Sequence, residues 1–483
     1  MNDPAKDLAD STIARPPEED PTAALPLNPR EGALPVAITD EAEVASALAY
    51  EPLPRLIGRL AIPAVGSNLL MTLFVSIDGY WVGTRVGSEG LAAVSTSVFW
   101  VWMMVASAEM ISIGLTAVAA RRHGEGRHGE AALNAGEALL YALALGTVIA
   151  IAGTLLVDHA FSVMQTSPEV SALGRRYLGT YILGAPLIFG FFAVDAAFRA
   201  SGNTRTPFVL LGISVSVTLV LDPILILGLF GVPAFGIAGA AMATVGTRGM
   251  AFLLGLAILW RQGLIRFGPV RARTLALISR IGLPTAMTGI TFSLIYVAIT
   301  RTATEFGTPA LAALGIGHRV ESWLYMAAVG GGAAAAAIVG QNLGAGQVAR
   351  AERTGWLTMG YASFLGILMS IAQLTLAEQL AGLFTNDPAV IAEGASYLRI
   401  VAVSQLFLCA EIVLEGALGG AGDTVPPMIA STGITVLRIP LAIWAASHWG
   451  TEGIWWTISL TAVARGVAMA ILWRSGRWKR RSV

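Results

Sequence analysis

The sequence predicts an all-α membrane protein with twelve transmembrane helices, arranged as two six-helix lobes around a central cleft. Of its 483 residues, 55% are hydrophobic and only 13% are charged, and the mean hydropathy is +0.68. A soluble chain would carry about twice this share of charged residues. The apolar residues gather in segments long enough to cross a hydrocarbon core of about 30 Å. The pattern of segments in the first half of the chain returns in the second half.

The repeat is clearest in one stretch that occurs twice. Residues 197–207 read AFRASGNTRTP, and residues 417–427 read ALGGAGDTVPP. The stretch has the composition of a helix end, a glycine turn and a proline that starts the next helix. The spacing from Ala197 to Ala417, called the repeat offset below, also separates Gly124 from Gly344. A constant offset through loops and apolar segments alike indicates two copies of one unit.

Each copy contains six predicted spans. They cover residues 55–82, 91–120, 131–157, 172–200, 207–232 and 236–261 in the first copy, and 276–304, 311–340, 351–378, 391–419, 426–448 and 452–475 in the second. The predicted domains are an acidic, disordered N-terminal tail (1–52), a first lobe (53–262), a second lobe (263–476) and a basic C-terminal tail (477–483).

Basic residues predict the orientation of the spans. Three arginines follow the second span, five lie between the sixth and seventh spans, and five basic residues end or follow the last span. All fall on one side of the membrane, which the positive-inside rule assigns to the cytoplasm. We therefore expect an inner (plasma) membrane protein with both termini cytoplasmic. Because six is an even number, both copies insert in the same orientation and face each other across a cleft.

The composition also excludes several classes of function. Lys plus Arg and Asp plus Glu both number 31, which argues against a nucleic-acid partner. Cys409 is the single cysteine, so no intrachain disulfide can form. The sequence contains no nucleophilic triad, no paired metal ligands and no phosphate loop. We expect no enzyme activity and no cofactor; the expected partners are a small-molecule substrate and the lipid bilayer, and the default oligomeric state is a monomer.

Two aspartates lie within predicted spans of the first lobe. A charged group at the centre of a span costs about 2.5–3.5 kcal/mol on insertion scales, so each requires an explanation. Asp222 lies about 22 Å from the cytoplasmic end of the fifth span, and Asp78 lies near the outer end of the first. Thr218 is one turn from Asp222, and Thr244 is about two turns into the sixth span.

These four side chains converge in depth. Two carboxyl groups in a poorly hydrated lobe must take up a proton or bind a small cation. The sequence therefore predicts an ion-coupling site for H⁺ or Na⁺ at Asp78, Asp222, Thr218 and Thr244, and no other metal site. In the alternative interpretation, Asp78 is a solvated helix end and Asp222 caps the kink at Pro223.

Further charged residues are candidates for a substrate site in the cleft. Asp195 and Arg199 are spaced i, i+4, which favours a structural ion pair. Glu415 takes the repeat-related position of Asp195 and lies one turn from Glu411. Two hypotheses remain open: Glu411 forms a buried ion pair with Arg438, or Glu415 or Glu411 faces the cleft and attracts a cationic substrate.

A polar cluster lies midway along the eighth predicted span. It contains His318, Arg319 and Glu321. Arg319 and Glu321 cannot share one helix face, so we expect at least one member of the cluster to point into the cleft. A histidine in a span can relay protons, although hydrogen-bonded packing is the commoner role.

Several motifs resemble those of the multidrug and toxic compound extrusion (MATE) transporters. They are the doubled stretch described above, IGLP at 281–284, VGQNLGAG at 339–346 and LDPILI at 221–226. The resemblance covers about residues 55–475. It implies a twelve-helix secondary exporter that is driven by inward Na⁺ or H⁺ and expels organic, often cationic compounds.

The resemblance also bears on the ion site. Such transporters are described with an aspartate on the first helix and an Asn-x-x-x-Asp pair on the fifth, which bind the driving ion. Asp78 and Asp222 match these aspartates. Thr218 stands where the asparagine is usual, and because a hydroxyl is a poorer ligand for a hard cation than an amide carbonyl, the choice between H⁺ and Na⁺ stays open.

Two rival functions are compatible with parts of the sequence. A flippase for a lipid-linked precursor would need a cationic cleft with a side opening to lipid, whereas the intramembrane groups of the first lobe are more often acidic. A membrane-embedded enzyme would need clustered His, Asp or Ser side chains at one depth, and His318 is the single histidine in the interior of a predicted span.

Overall fold

The computed structural model describes residues 51–85, 88–163 and 168–481, and helices dominate all three ranges. The predicted acidic tail lies outside the described residues except for its last two positions. The helices of the first lobe are α1 (Leu53–Arg85), α2 (Ser88–Gly124), α3 (His128–Val163), α4 (Pro168–Leu183), α5 (Ala185–Ala200), α6 (Arg205–Leu227) and α7 (Ile237–Arg261). Those of the second lobe are α8 (Ala272–Thr304), α9 (Thr308–Gly344), α10 (Val348–Thr375), α11 (Ala377–Gly382), α12 (Pro388–Val401), α13 (Gln405–Gly420) and α14 (Val425–Arg474).

The helices of the described residues account for the twelve predicted spans. Ten segments are long and apolar enough to cross a membrane, and α4 with α5, bent by 49° at Gly184, forms an eleventh. The twelfth comes from α14, whose 50 residues are interrupted at Gly450 (φ 61°, ψ −142°). This backbone conformation suits glycine, which has no Cβ to clash there. The break divides α14 into two spans, each long enough to cross the membrane.

The doubled stretch of the sequence folds into the same turn in both lobes. In each copy a glycine in the left-handed region follows the helix, namely Gly202 (φ 85°) and Gly422 (φ 78°). The next residue donates its N–H back into the helix, from Asn203 to the carbonyl of Phe198 and from Asp423 to that of Leu418, both at 2.9 Å. This Schellman-type ending satisfies carbonyls at the helix terminus. The predicted helix end and glycine turn are therefore confirmed twice.

The two lobes meet through a pair of contacts related by the repeat. Helix α2 packs against α8 and α9, and α1 also packs against α9. A Cβ added to Gly124 would clash with the carbonyl of Gln341, and one added to Gly344 would clash with the carbonyl of Arg121. The repeat offset relates the two glycines to each other, and likewise Arg121 to Gln341. Glycine at these positions permits the close approach of the helix backbones.

Other contacts between the lobes lie toward the same end of the bundle. The amide of Gln341 donates to the carbonyl of Ala200 at 2.6 Å, and the hydroxyls of Tyr141 and Ser279 lie 2.9 Å apart. Leu56 and its neighbours on α1 share an apolar cluster with Ile338 of α9. The lobes are thus held together at the end where the described chain begins and finishes.

Toward the opposite end, the apolar clusters of the described residues belong to one lobe at a time. Val94 and Ile226 lie in a cluster formed by the first lobe, while Leu314 and Ile454 lie in one formed by the second. Among the described residues, the contacts between the lobes that are given above therefore lie toward the end where the described chain begins and finishes.

The predicted basic C-terminal tail packs against the end at which the two lobes are held together, called the closed end below. It forms a short 3₁₀ turn (Arg477–Arg480), and Trp478 stacks on Trp473 with ring centroids 4.1 Å apart. Arg481 forms an ion pair with the buried carboxylate of Asp423 at 2.9 Å. Its carbonyl accepts a hydrogen bond at 2.9 Å from the Arg121 guanidinium of the first lobe. This segment therefore bridges the two lobes.

Candidate functional site

Three of the four predicted ion-coupling residues are buried inside the first lobe. Asp222, Thr218 and Thr244 have exposed fractions of 0%, 1% and 2%. Asp222 and Thr218 lie one turn apart on α6, and Thr244 lies on α7, which packs against α6. Asp78 lies on α1, but its side chain is outside the described residues. Its predicted convergence with Asp222 stays a prediction.

The threonines of this site form hydrogen bonds with one another or with the backbone. The hydroxyl of Thr218 lies 2.7 Å from that of Thr247, one turn along α7 from Thr244. Thr244 donates its proton to the carbonyl of Ala240 at 3.1 Å. A hydroxyl that donates to the backbone keeps its lone pairs for a ligand. Thr247 was missed by the sequence analysis, although its i, i+3 spacing from Thr244 places both on one helix face.

A proline interrupts the backbone hydrogen bonds of α6 next to Asp222. Pro223 follows Asp222 inside α6 and has no N–H to donate to the carbonyl of Leu219. A carboxylate, hydroxyls and a carbonyl are the oxygen ligands that hard cations prefer. No group of three or more His, Cys, Asp or Glu side chains suited to a metal ion occurs in the part of the chain that the structure describes. A buried carboxyl group beside hydroxyl oxygens has the chemistry to take up a proton or a small cation.

A second group of charged residues lies between the lobes. Glu109, midway along α2, has an exposed side chain, and Glu415 on α13 is partly exposed. Tyr325 of α9 is 40% exposed and lies within electrostatic range of both carboxylates. The described side chains provide no hydrogen bond or ion pair to either carboxylate. Glu109 was missed by the sequence analysis, although a glutamate in the middle of an apolar span is itself a signal.

Two ion pairs flank these carboxylates, one in each lobe. Asp195 and Arg199 form the predicted pair at 2.8 Å. Glu411 pairs with Arg465 at 2.9 Å, and the Ser431 hydroxyl donates to the same carboxylate at 3.2 Å. Each pair neutralises a charge that would be costly to bury alone.

The alternative that paired Glu411 with Arg438 is wrong. The Arg438 guanidinium instead donates to the hydroxyl of Thr461 at 2.8 Å, and Arg465 takes the place beside Glu411. The pairing with Arg438 was predicted only from the similar depth of the two residues along their helices. The rotation of each helix about its axis decided the partner.

The members of the polar cluster of α9 have different surroundings: Glu321 is hydrogen-bonded within the second lobe, and His318 is exposed. Glu321 accepts hydrogen bonds from the Tyr397 hydroxyl at 3.0 Å and the Gln405 amide at 2.9 Å. His318 is exposed and packs its ring on Tyr296, with centroids 4.4 Å apart. Glu321 therefore ties α9 to α12 and α13 within its own lobe.

A bundle of membrane-crossing helices in two repeat-related lobes, with buried ionisable groups in both lobes, is the architecture of a membrane transporter. The MatE family model matches the chain twice, at residues 63–224 and 284–444, once in each lobe. The chain belongs to this family of membrane transporters, which is not a class of enzymes.

Similar proteins match nearly the whole chain. A probable multidrug resistance protein NorM of Thermotoga maritima is 31% identical over 449 residues, covering 88% of this chain and 93% of that protein. A FAD transporter of Shewanella oneidensis is 27% identical over 423 residues, covering 86% and 91%.

Solved structures share the fold. An outward-facing multidrug resistance MATE family transporter of the MOP superfamily superimposes with a TM-score of 0.83 at 23% identity, covering 90% of this chain and 97% of that one. A MOP superfamily transporter of Pyrococcus furiosus, described as having a binding pocket of reverse polarity, gives 0.83 at 22% identity, covering 91% and 99%.

Proposed function

We propose that this protein is a multidrug exporter of the plasma membrane, which moves small amphiphilic, positively charged organic compounds outward in exchange for inward H⁺ or Na⁺. The observation that carries the proposal is Asp222, a carboxyl group with no exposed surface on a membrane-crossing helix. The printed names of the relatives, several of which are multidrug resistance proteins, support the export of drugs.

The coupling step is assigned to the first lobe. Asp222 gains a proton or a cation that lies among the oxygens of Thr218 and Thr244, with Asp78 as the second carboxyl group. Uptake of positive charge removes the cost of an ionised carboxylate in a low dielectric. Because the packing of α6 against α1 and α7 surrounds this group, neutralisation changes the preferred packing of the lobe and shifts the equilibrium between cleft conformations.

The substrate step is assigned to the cleft. Glu109 of the first lobe and Glu415 of the second lie within electrostatic range of Tyr325. Two carboxylates attract an organic cation, and an aromatic face adds a cation–π contact. Asp195 and Glu411 are each paired with an arginine of their own lobe. The other two carboxylates are therefore the ones available to bind a cationic substrate.

We also propose the orientation that this function requires. The closed end carries the basic C-terminal segment and most of the arginines counted above, so it faces the cytoplasm by the positive-inside rule. The structure then represents the state from which a substrate leaves the cell.

The test is transport by the full-length protein in proteoliposomes. Accumulation of ethidium, a fluorescent organic cation, is measured with a pH gradient alone and with a sodium gradient alone. We expect one gradient to drive accumulation in the wild type and in Asp158→Asn, an exposed control, and neither to do so in Asp222→Asn. Translocation of a fluorescent lipid-linked oligosaccharide without ethidium transport would instead establish the flippase.

A further inference from the structure

The helix face that carries Asp222 has a counterpart in the second lobe with opposite charge. The repeat offset places Arg438 at the position of Thr218 and Ala442 at the position of Asp222. The slightly longer offset that aligns Pro63 with Pro284 places Ile299 at the position of Asp78. The second lobe has therefore lost both carboxyl groups and gained a guanidinium.

One element of the site is retained. The sequence Arg-Gly occurs at 248–249 in α7 and at 465–466 in α14, and the same spacing separates Gly-Ile at 236–237 from Gly-Ile at 453–454. This local spacing, slightly shorter than the repeat offset, aligns Thr244 with Thr461. Both threonines are buried, with exposed fractions of 2% and 6%.

The structure brings the guanidinium to the retained threonine. Arg438 is 6% exposed, and its Nε donates to Thr461 Oγ1 at 2.8 Å. A second nitrogen donates to the carbonyl of Ile458 at 3.4 Å. In the first lobe the corresponding helices meet through the hydroxyls of Thr218 and Thr247. The charge of Arg438 thus lies where the second lobe would otherwise hold the counterpart of the coupling ion.

Neighbouring charged and titratable groups come from three other helix segments and from α14 itself. They are His318 and Glu321 of α9, Tyr397 of α12, Glu411 of α13 and Arg465 of α14. Glu321 is hydrogen-bonded by Tyr397 and Gln405, and Glu411 is paired with Arg465. The carboxylates around Arg438 therefore already have partners within the lobe.

We propose that Arg438 is a resident cation, which fills the second lobe's counterpart of the coupling site, so that only the first lobe takes up and releases an ion. The inference rests on the proposed function, because it uses the coupling site of the first lobe. A permanent positive charge disfavours protonation or cation binding nearby. The repeat therefore encodes one switching lobe and one lobe with a fixed charge.

The experiment measures distances within each lobe of the full-length protein in lipid nanodiscs, by double electron–electron resonance. Spin labels replace the exposed Leu155 and Val220 in the first lobe and Leu374 and Leu441 in the second, in a Cys409→Ala background. Distances are recorded across a series from alkaline to acidic pH, with and without sodium. The variants are Arg438→Thr with Ala442→Asp, which restores the threonine and the carboxyl group of the first-lobe helix, and Arg438→Lys with Ala442→Asp, which keeps a positive charge beside the new carboxyl group.

In the wild type, we expect an ion-dependent shift for the first-lobe pair and a constant distance for the second-lobe pair. Arg438→Thr/Ala442→Asp should make the second-lobe pair ion-dependent, whereas Arg438→Lys/Ala442→Asp should not. A wild-type second lobe that responds to ions while Asp222→Asn silences the first would overturn the proposal, as would an unresponsive but folded Arg438→Thr/Ala442→Asp. If the first lobe of the wild type fails to respond, the proposed function fails instead.

Discussion

Replacing either interface glycine with alanine should release the closed end of the bundle. A Cβ at Gly124 falls on the carbonyl of Gln341, and a Cβ at Gly344 falls on the carbonyl of Arg121. Neither clash can be relieved by a side-chain rotation, because both obstacles are backbone atoms. The helices α2 and α9 must therefore separate to admit the methyl group.

The expected size follows from the cost of overpacking. An extra carbon in a well-packed interface costs about 1–3 kcal/mol, which corresponds to roughly a 5- to 150-fold change in an equilibrium constant. The gain in helix propensity from glycine to alanine applies to the open and the closed conformation alike and cancels. Because the two contacts are related by the repeat, Gly124→Ala and Gly344→Ala should shift the equilibrium by similar factors.

The assay is a distance distribution across the closed end. Spin labels replace Arg205 and Val425, exposed residues at the starts of α6 and α14, in the Cys409→Ala background. Each variant should transfer population from the short to the long distance. Gly58→Ala is the matched control, since Gly58 lies on α1 at the same end and a Cβ there meets nothing within 4 Å.

Unchanged distances in both Gly124→Ala and Gly344→Ala would refute this reasoning. An equal shift in Gly58→Ala would also refute it, because the effect would then come from helix propensity alone.

Three further predictions concern charged groups. Arg465→Met leaves Glu411 buried without its partner and should lower stability by about 3–5 kcal/mol; adding Glu411→Leu should recover most of this loss in a chemical-denaturation series. Arg481→Gln removes the partner of the buried Asp423 and should cost about 1–3 kcal/mol, measured in the same series. Glu109→Gln should raise the Kd for ethidium in a fluorescence titration at low salt and should leave the melting temperature unchanged.

Much of the architecture could be predicted from the sequence because it depends on composition along the chain. The lengths of the apolar segments and the repeat offset determine the number of spans and their division between two lobes. The glycine turn at Gly202 was predictable for the same reason, since a left-handed residue after a helix favours glycine. Local rules suffice for features of this kind.

The contacts inside the lobes depend on how each helix is rotated and which neighbour it meets. Arg438 and Arg465 lie on the same long helix, and depth alone could not distinguish the partner of Glu411. The break at Gly450 decides this, because it turns the second half of α14 so that Arg465 reaches Glu411. Glu109 was not predicted as a site residue for a related reason. It belongs to no repeated motif, and its proposed role depends on its proximity to Tyr325 of the other lobe.

Ion-driven transport by Asp78→Asn and Asp222→Asn tests the central claim most directly. Both variants are reconstituted with the wild type, and the initial rate of ethidium accumulation is measured under the driving gradient. We expect each variant to bind ethidium still but to lose gradient-driven accumulation. A rate equal to that of the wild type in either variant would contradict the assignment of ion coupling to the first lobe.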